Sequence, residues 1–140
     1  LFKAIVGRWI GEGSLKTRDS GELKVHEEWT AGVEEGGGFR FAGTRVMGEE
    51  THEFSWVFLL NATSGAYECE YEHTGMDNPM RFEVSITETR VELRSPLGGP
   101  GSELLITNTL EGGMLNGTVL HRDANGQEVT SGTVVHRRVE

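Results

Sequence analysis

Tyr67-Glu68-Cys69-Glu70-Tyr71-Glu72-His73 is the stretch that decides the fold. Glutamates occupy every second position and Tyr, Cys, Tyr and His the positions between. That is the period of two of an extended strand with one wet and one sheltered face. Thr74 to Pro79 reads as a turn, and the alternation resumes with Met80, Phe82, Val84 and Ile86 set against Arg81, Glu83, Ser85 and Thr87. Two antiparallel strands joined by a short connection follow from this segment alone.

Working outward, the pattern repeats in both directions. Towards the carboxyl end, Arg90 to Arg94 is a further strand, and Pro96 to Gly101 is a breaker cluster read as a loop within one domain. Strands resume over Ser102 to Leu110, Leu115 to His121 and Gln127 to Arg138. Tight hairpins are expected at Glu111-Gly112-Gly113 and at Asp123-Ala124-Asn125-Gly126, where Asn-Gly is the strongest turn signal. Towards the amino end, Asn61 to Gly65 is a loop, and His52 to Leu60 puts Phe54, Trp56 and Phe58 on one face with Val57 and Leu59 on the other. That strand is expected to be covered on both sides. Phe39 to Val46, Glu22 to Thr30 and Arg8 to Lys16 complete the set. The turn Asp19-Ser20-Gly21 joins the last two, and Leu1 to Val6 is one helical turn or a plug.

About ten strands with short sequential connections, and no helical pattern of helix length, predict an all-β chain. A sheet of that many strands curls or splits, and joining its first strand to its last removes both edges. The expected fold is an antiparallel up-and-down β-barrel in a single domain over residues 1–140, with a two-sheet sandwich as the alternative. Gly11, Gly13, Gly43 and Gly117 are the places where a bulge would exchange inward for outward residues.

Composition narrows the function. The 140 residues hold 13 Lys and Arg against 22 Asp and Glu, a formal charge of −9. A nucleic-acid backbone or an anionic membrane surface would therefore meet net repulsion. No stretch approaches the ~20 apolar residues that cross a bilayer, and no apolar signal segment is visible. The chain opens on Leu1 rather than Met, which leaves open the removal of a leader. The single cysteine, Cys69, admits no internal disulfide and no multi-thiolate metal site.

The opening Gly7-Arg8-Trp9 matches the Gly-x-Trp that begins the first strand of lipocalins. Its extension to Gly13 resembles nitrobindin-type haem-binding barrels. Phe54 to Phe58, the loop Asn61 to Gly65 with Tyr67, and the closing Thr133 to Arg138 are similar to uncharacterised bacterial lipocalin-like domains. The resemblance implies a lipocalin-like (calycin-type) barrel in which Arg137 or Arg138 covers Trp9 through a cation–π contact and plugs one end. The nitrobindin likeness implies haem held by a histidine near the carboxyl end, with isomerase or oxidoreductase chemistry, and brings His121 and His136 forward. The closing segment departs from that pattern. Thr130-Ser131-Gly132-Thr133 stands where the ligating histidine would be expected, and His136 comes later, between Val135 and Arg137.

No nucleophile elbow, phosphate loop or carboxylate set with catalytic spacing occurs, so no catalytic residue is assigned. The five histidines lack local ligand spacing, which assigns no metal and makes each a water-facing residue in the first instance. The expected function is a binding domain, without cofactor, that holds a small apolar or amphipathic molecule. Trp29, Phe41, Trp56, Tyr71 and Phe82 form the walls, and Arg45 and His73 the polar contacts. Arg45 shares a face with Phe39 and Phe41, so an inward Arg45 needs a carboxylate, and Glu27, beside Val25 and Trp29, is its expected partner. The haem-dependent enzyme is the first alternative. A module that meets a second copy through Val57 and Leu59 is the other.

Overall fold

The computed structural model describes residues 1–19, 21–96 and 101–139. A single turn of helix, α1 (Phe2–Ile5), precedes ten strands: β1 (Gly7–Thr17), β2 (Gly21–Val33), β3 (Phe39–Met47), β4 (Glu50–Leu60), β5 (Tyr67–His73), β6 (Met80–Ile86), β7 (Arg90–Ser95), β8 (Glu103–Glu111), β9 (Met114–Arg122) and β10 (Glu128–Val139). Each strand pairs antiparallel with the next, and β1 pairs with β10, so the sheet closes on itself as an all-β barrel. Most strands overrun their expected ends by a residue or more, β2 furthest. The expected breaker at Leu97–Pro100 and the middle of the turn at Ser20 lie outside the described residues.

Alternation assigns the faces, and the register preserves them. The β1–β2 ladder runs without interruption from Gly7↔Ala31 to Thr17↔Gly21, through both Gly11 and Gly13. None of the four suspected glycines carries a bulge. The irregularity falls instead on β10, between Glu128 and Thr130. The glycines serve close approach: a Cβ at Gly43 would run into the backbone of Glu28 and Trp29. At the Asp123–Gln127 hairpin, Gly126 takes φ +79°, a region open to glycine, while the Asp123 carboxylate accepts from the Asn125 and Gln127 amides. On the outer face of β4, Ser55 is buried, Val57 half-buried and Leu59 51% exposed, so that face is covered at mid-strand and wet towards its end.

The core is the barrel's own lumen, plugged at one end by α1. Phe2 stacks on Phe39 with ring centroids 4.6 Å apart and meets Phe58 and Tyr67 edge-on or tilted. Trp9, 1% exposed, donates its indole N–H to the Ile5 carbonyl at 3.0 Å. Of the two arginines expected over Trp9, Arg138 is the one that covers it. Its guanidinium lies 4.6 Å from the ring centroid and donates to the carbonyls of Val6 and Ala4, both at 2.6 Å. The parity of β10 explains the choice, since Arg138 pairs with Trp9 across β1 and shares its face, whereas Arg137 points out. Among the described residues no helix is long and apolar enough to cross a membrane.

Candidate functional site

Away from α1 the lumen is incompletely filled. A cavity of about 210 Å³ lies between the strands, and its walls are mainly aromatic and aliphatic. Trp29, Phe41, Trp56, Tyr71 and Phe82, all expected as walls, line it, as does Arg45. Trp56 packs against Tyr71 at 4.2 Å and against Phe82 at 5.3 Å between centroids, which fixes one aromatic wall. His73 does not line the cavity. It has the inward parity expected of it but sits at the last position of β5, at the rim. There its ring stands 4.8 Å from His52, and Nδ1 donates to the Thr74 carbonyl. A larger hollow of about 440 Å³ lies over β5 and β6, but outward Glu68, Glu70, Arg81, Glu83 and Arg94 contribute much of its lining. Water-facing charged side chains suit it poorly for an apolar guest.

One register row across the sheet supplies the cavity's charged wall. Arg45 on β3 pairs with Glu27 on β2, Glu27 with Gly11 on β1, and Gly11 with His136 on β10. Because Gly11 has no side chain, Glu27 and His136 reach each other over it. A Cβ there would sit 2.6 Å from His136 Nε2 and closer still to Cδ2. Arg45 Nε donates to Glu27 Oε2, and His136 Nε2 meets Glu27 Oε1 at 2.8 Å. Arg45 also donates from Nη1 to the Tyr71 hydroxyl at 2.6 Å and lies 4.4 Å from the Phe54 ring centroid. His136 Nδ1 faces the Leu115 carbonyl at 3.2 Å.

The charges follow from these contacts. Burial alone would push the Glu27 carboxyl up. The hydrogen bond from His136, together with the charges of Arg45 and His136, outweighs burial and holds it below its ordinary value, so Glu27 is ionised. Burial likewise opposes the charge on Arg45, and Glu27 and Tyr71 more than offset it. Tyr71 is pushed up by burial, against the pull of Arg45, so its proton stays on the phenol. Both ring nitrogens of His136 face acceptors, one a carbonyl and one an ionised carboxylate.

The expected Arg45–Glu27 ion pair is therefore present, with His136 and not His73 as its third member. His136 is 5% exposed and departs from the water-facing role given to the histidines. The sequence carried two signals for it: its inward parity with Val134 and Arg138, and the side-chain-free Gly11 that barrel closure sets beside it. Both nitrogens of His136 are engaged within the protein, and His121 does not line the cavity. Cys69 is buried, and its thiol is pushed up to about 12 chiefly by that burial, which disfavours the thiolate. No group of three or more His, Cys, Asp or Glu is placed to hold a metal ion among the described residues.

No known protein family and no curated protein matches the chain as a sequence. Solved structures do match it in three dimensions. Rv2717c from M. tuberculosis superposes with a TM-score of 0.70 at 15% identity, over 98% of this chain and 94% of that one. The S-type phycobiliprotein lyase CPES from Guillardia theta gives 0.65 at 10% identity, over 99% and 90%. A protein of unknown function from the DUF3598 family of Nostoc punctiforme gives 0.61 at 14% identity, where this chain spans about half (49%) of the other. At such identities the likeness is one of architecture, and the chain is a ten-stranded antiparallel barrel of the lipocalin-like kind.

Proposed function

We propose that the barrel binds a small apolar or amphipathic molecule in its interior, with Trp29, Phe41, Trp56, Tyr71 and Phe82 as walls and Arg45 as the polar contact. The observation that carries this reading is the 210 Å³ cavity inside an otherwise packed lumen, walled by aromatic rings and marked by one polar wall. Its volume corresponds to about seven waters at ~30 Å³ each, which suits a guest of on the order of ten heavy atoms. The likeness of fold to a protein named as a phycobiliprotein lyase supports a barrel that engages another molecule. His73, at the rim, belongs to the approach to the cavity and not to its walls. The reading calls on no cofactor.

Calorimetric titration with octan-1-ol, a neutral probe of suitable size, tests it. The expected result is uptake of one molecule with a negative heat-capacity change, the mark of apolar burial. Ile106→Trp, which brings an indole into the cavity from β8, abolishes that uptake while the folded β spectrum is retained. Equal uptake by Ile106→Trp would place the probe elsewhere and overturn the assignment.

A further inference from the structure

The polar wall has donors left over. Arg45 commits Nε to Glu27 and Nη1 to Tyr71, and its Nη2 has no protein acceptor among the described residues. It is not sealed in the wall either, because the Arg45 side chain is 18% exposed and lines the cavity. Tyr71 accepts from Arg45, and its own phenolic proton likewise finds no acceptor among the described residues. The two groups are 2.6 Å apart through that bond, so their spare donors leave the same short stretch of wall. Arg45 shares its one carboxylate, Glu27, with His136. A largely buried guanidinium with an unused donor is best satisfied by an anionic acceptor.

We infer that the barrel's ligand is a monoanionic amphiphile, its carboxylate seated between Arg45 Nη2 and the Tyr71 hydroxyl and its apolar body against Trp56 and Phe82. The inference rests on the interior-binding reading above and names the class of molecule that reading leaves open. The carboxylate supplies the missing acceptors and a charge opposite to that of Arg45, whereas the hydroxyl of a neutral alcohol of the same length accepts but brings no charge. An ammonium head would set a cation beside Arg45 and bring no acceptor.

Octanoate, octan-1-ol and octylammonium, titrated separately into the whole chain, test the inference. The expected order is octanoate at least tenfold tighter than octan-1-ol, as a charged hydrogen bond of ~1.5–3 kcal/mol implies, with octylammonium weakest. Tyr71→Phe, which keeps the ring, narrows the preference for octanoate over octan-1-ol about tenfold. Glu27→Gln removes the competing carboxylate and tightens octanoate. Equal affinity for octanoate and octan-1-ol in the unaltered protein overturns the inference and leaves interior binding standing. Failure of all three probes to bind overturns both.

Discussion

Gly11→Ala is the sharpest probe of how the charged wall is built. The new Cβ would lie 2.6 Å from His136 Nε2, where ordinary contact begins at 3.4 Å, so the ring must retreat by about 1 Å in an interior that does not compress. Glu27 is on the other side of Gly11, so retreat opens the 2.8 Å His136–Glu27 contact to about 3.6 Å or more, beyond a hydrogen bond. Loss of a charged, buried hydrogen bond costs about 1.5–3 kcal/mol, and alanine returns ~0.5–1 kcal/mol by restricting the unfolded chain. The net cost is about 1.5 kcal/mol, or about 6 °C in midpoint at roughly 4 °C per kcal/mol for a domain of this size. The assay is thermal and urea unfolding of Gly11→Ala with and without His136→Ala. With the ring gone the clash is removed, and the alanine becomes nearly neutral. An equal cost in both backgrounds would refute the account, since it would mean that Gly11 serves the backbone and not the histidine.

Three further outcomes follow from the same geometry. Glu27 is held below its ordinary value of 4.5, so its share of stability is fully present above that pH and is lost as pH falls below it. Glu27→Gln therefore flattens the acid limb of stability against pH, and an unchanged acid limb would contradict its ionised state. Cys69, with its thiol pushed up to about 12, resists maleimide at pH 8 in the folded chain and reacts promptly in urea. Rapid labelling of the native protein would contradict its burial. Arg138→Met removes two bonds to the α1 segment and the charge over Trp9, and costs about 1–2 kcal/mol with faster hydrogen exchange at the amides around α1. Unaltered exchange there would show that the plug holds without it.

The elements and faces were legible because this barrel obeys period-two alternation almost throughout. Glu68, Glu70 and Glu72 face water, and Tyr67, Cys69 and Tyr71 face in, as the alternation demands. The pairing of Glu27 with Arg45 was legible for the same reason: two inward charges of opposite sign on neighbouring strands have few other ways to be satisfied. Depth along a strand is a different matter. Parity says that His73 faces inward and the turn at Thr74 to Pro79 ends its strand, but how far the cavity reaches along β5 depends on the neighbouring strands, so its place outside the walls emerged only with the register. His136 came forward only through the haem-barrel resemblance, and its place in the charged wall was not legible because Gly11 and Glu27 come from β1 and β2, more than a hundred residues away, and meet it only through closure of the barrel. Gly11 reads as a bulge for a related reason, since the ring that needs its empty space is equally remote in sequence.

Intermolecular proton contacts between bound octan-1-ol and the protein, observed by NMR at saturating probe, test interior binding most directly. The account predicts contacts from the alkyl chain to the rings of Trp29, Trp56 and Phe82, which no outer surface offers together. Contacts confined to Tyr67, Val84 and the methylenes of Arg81 and Arg94 would place the probe in the hollow over β5 and β6, and would contradict it.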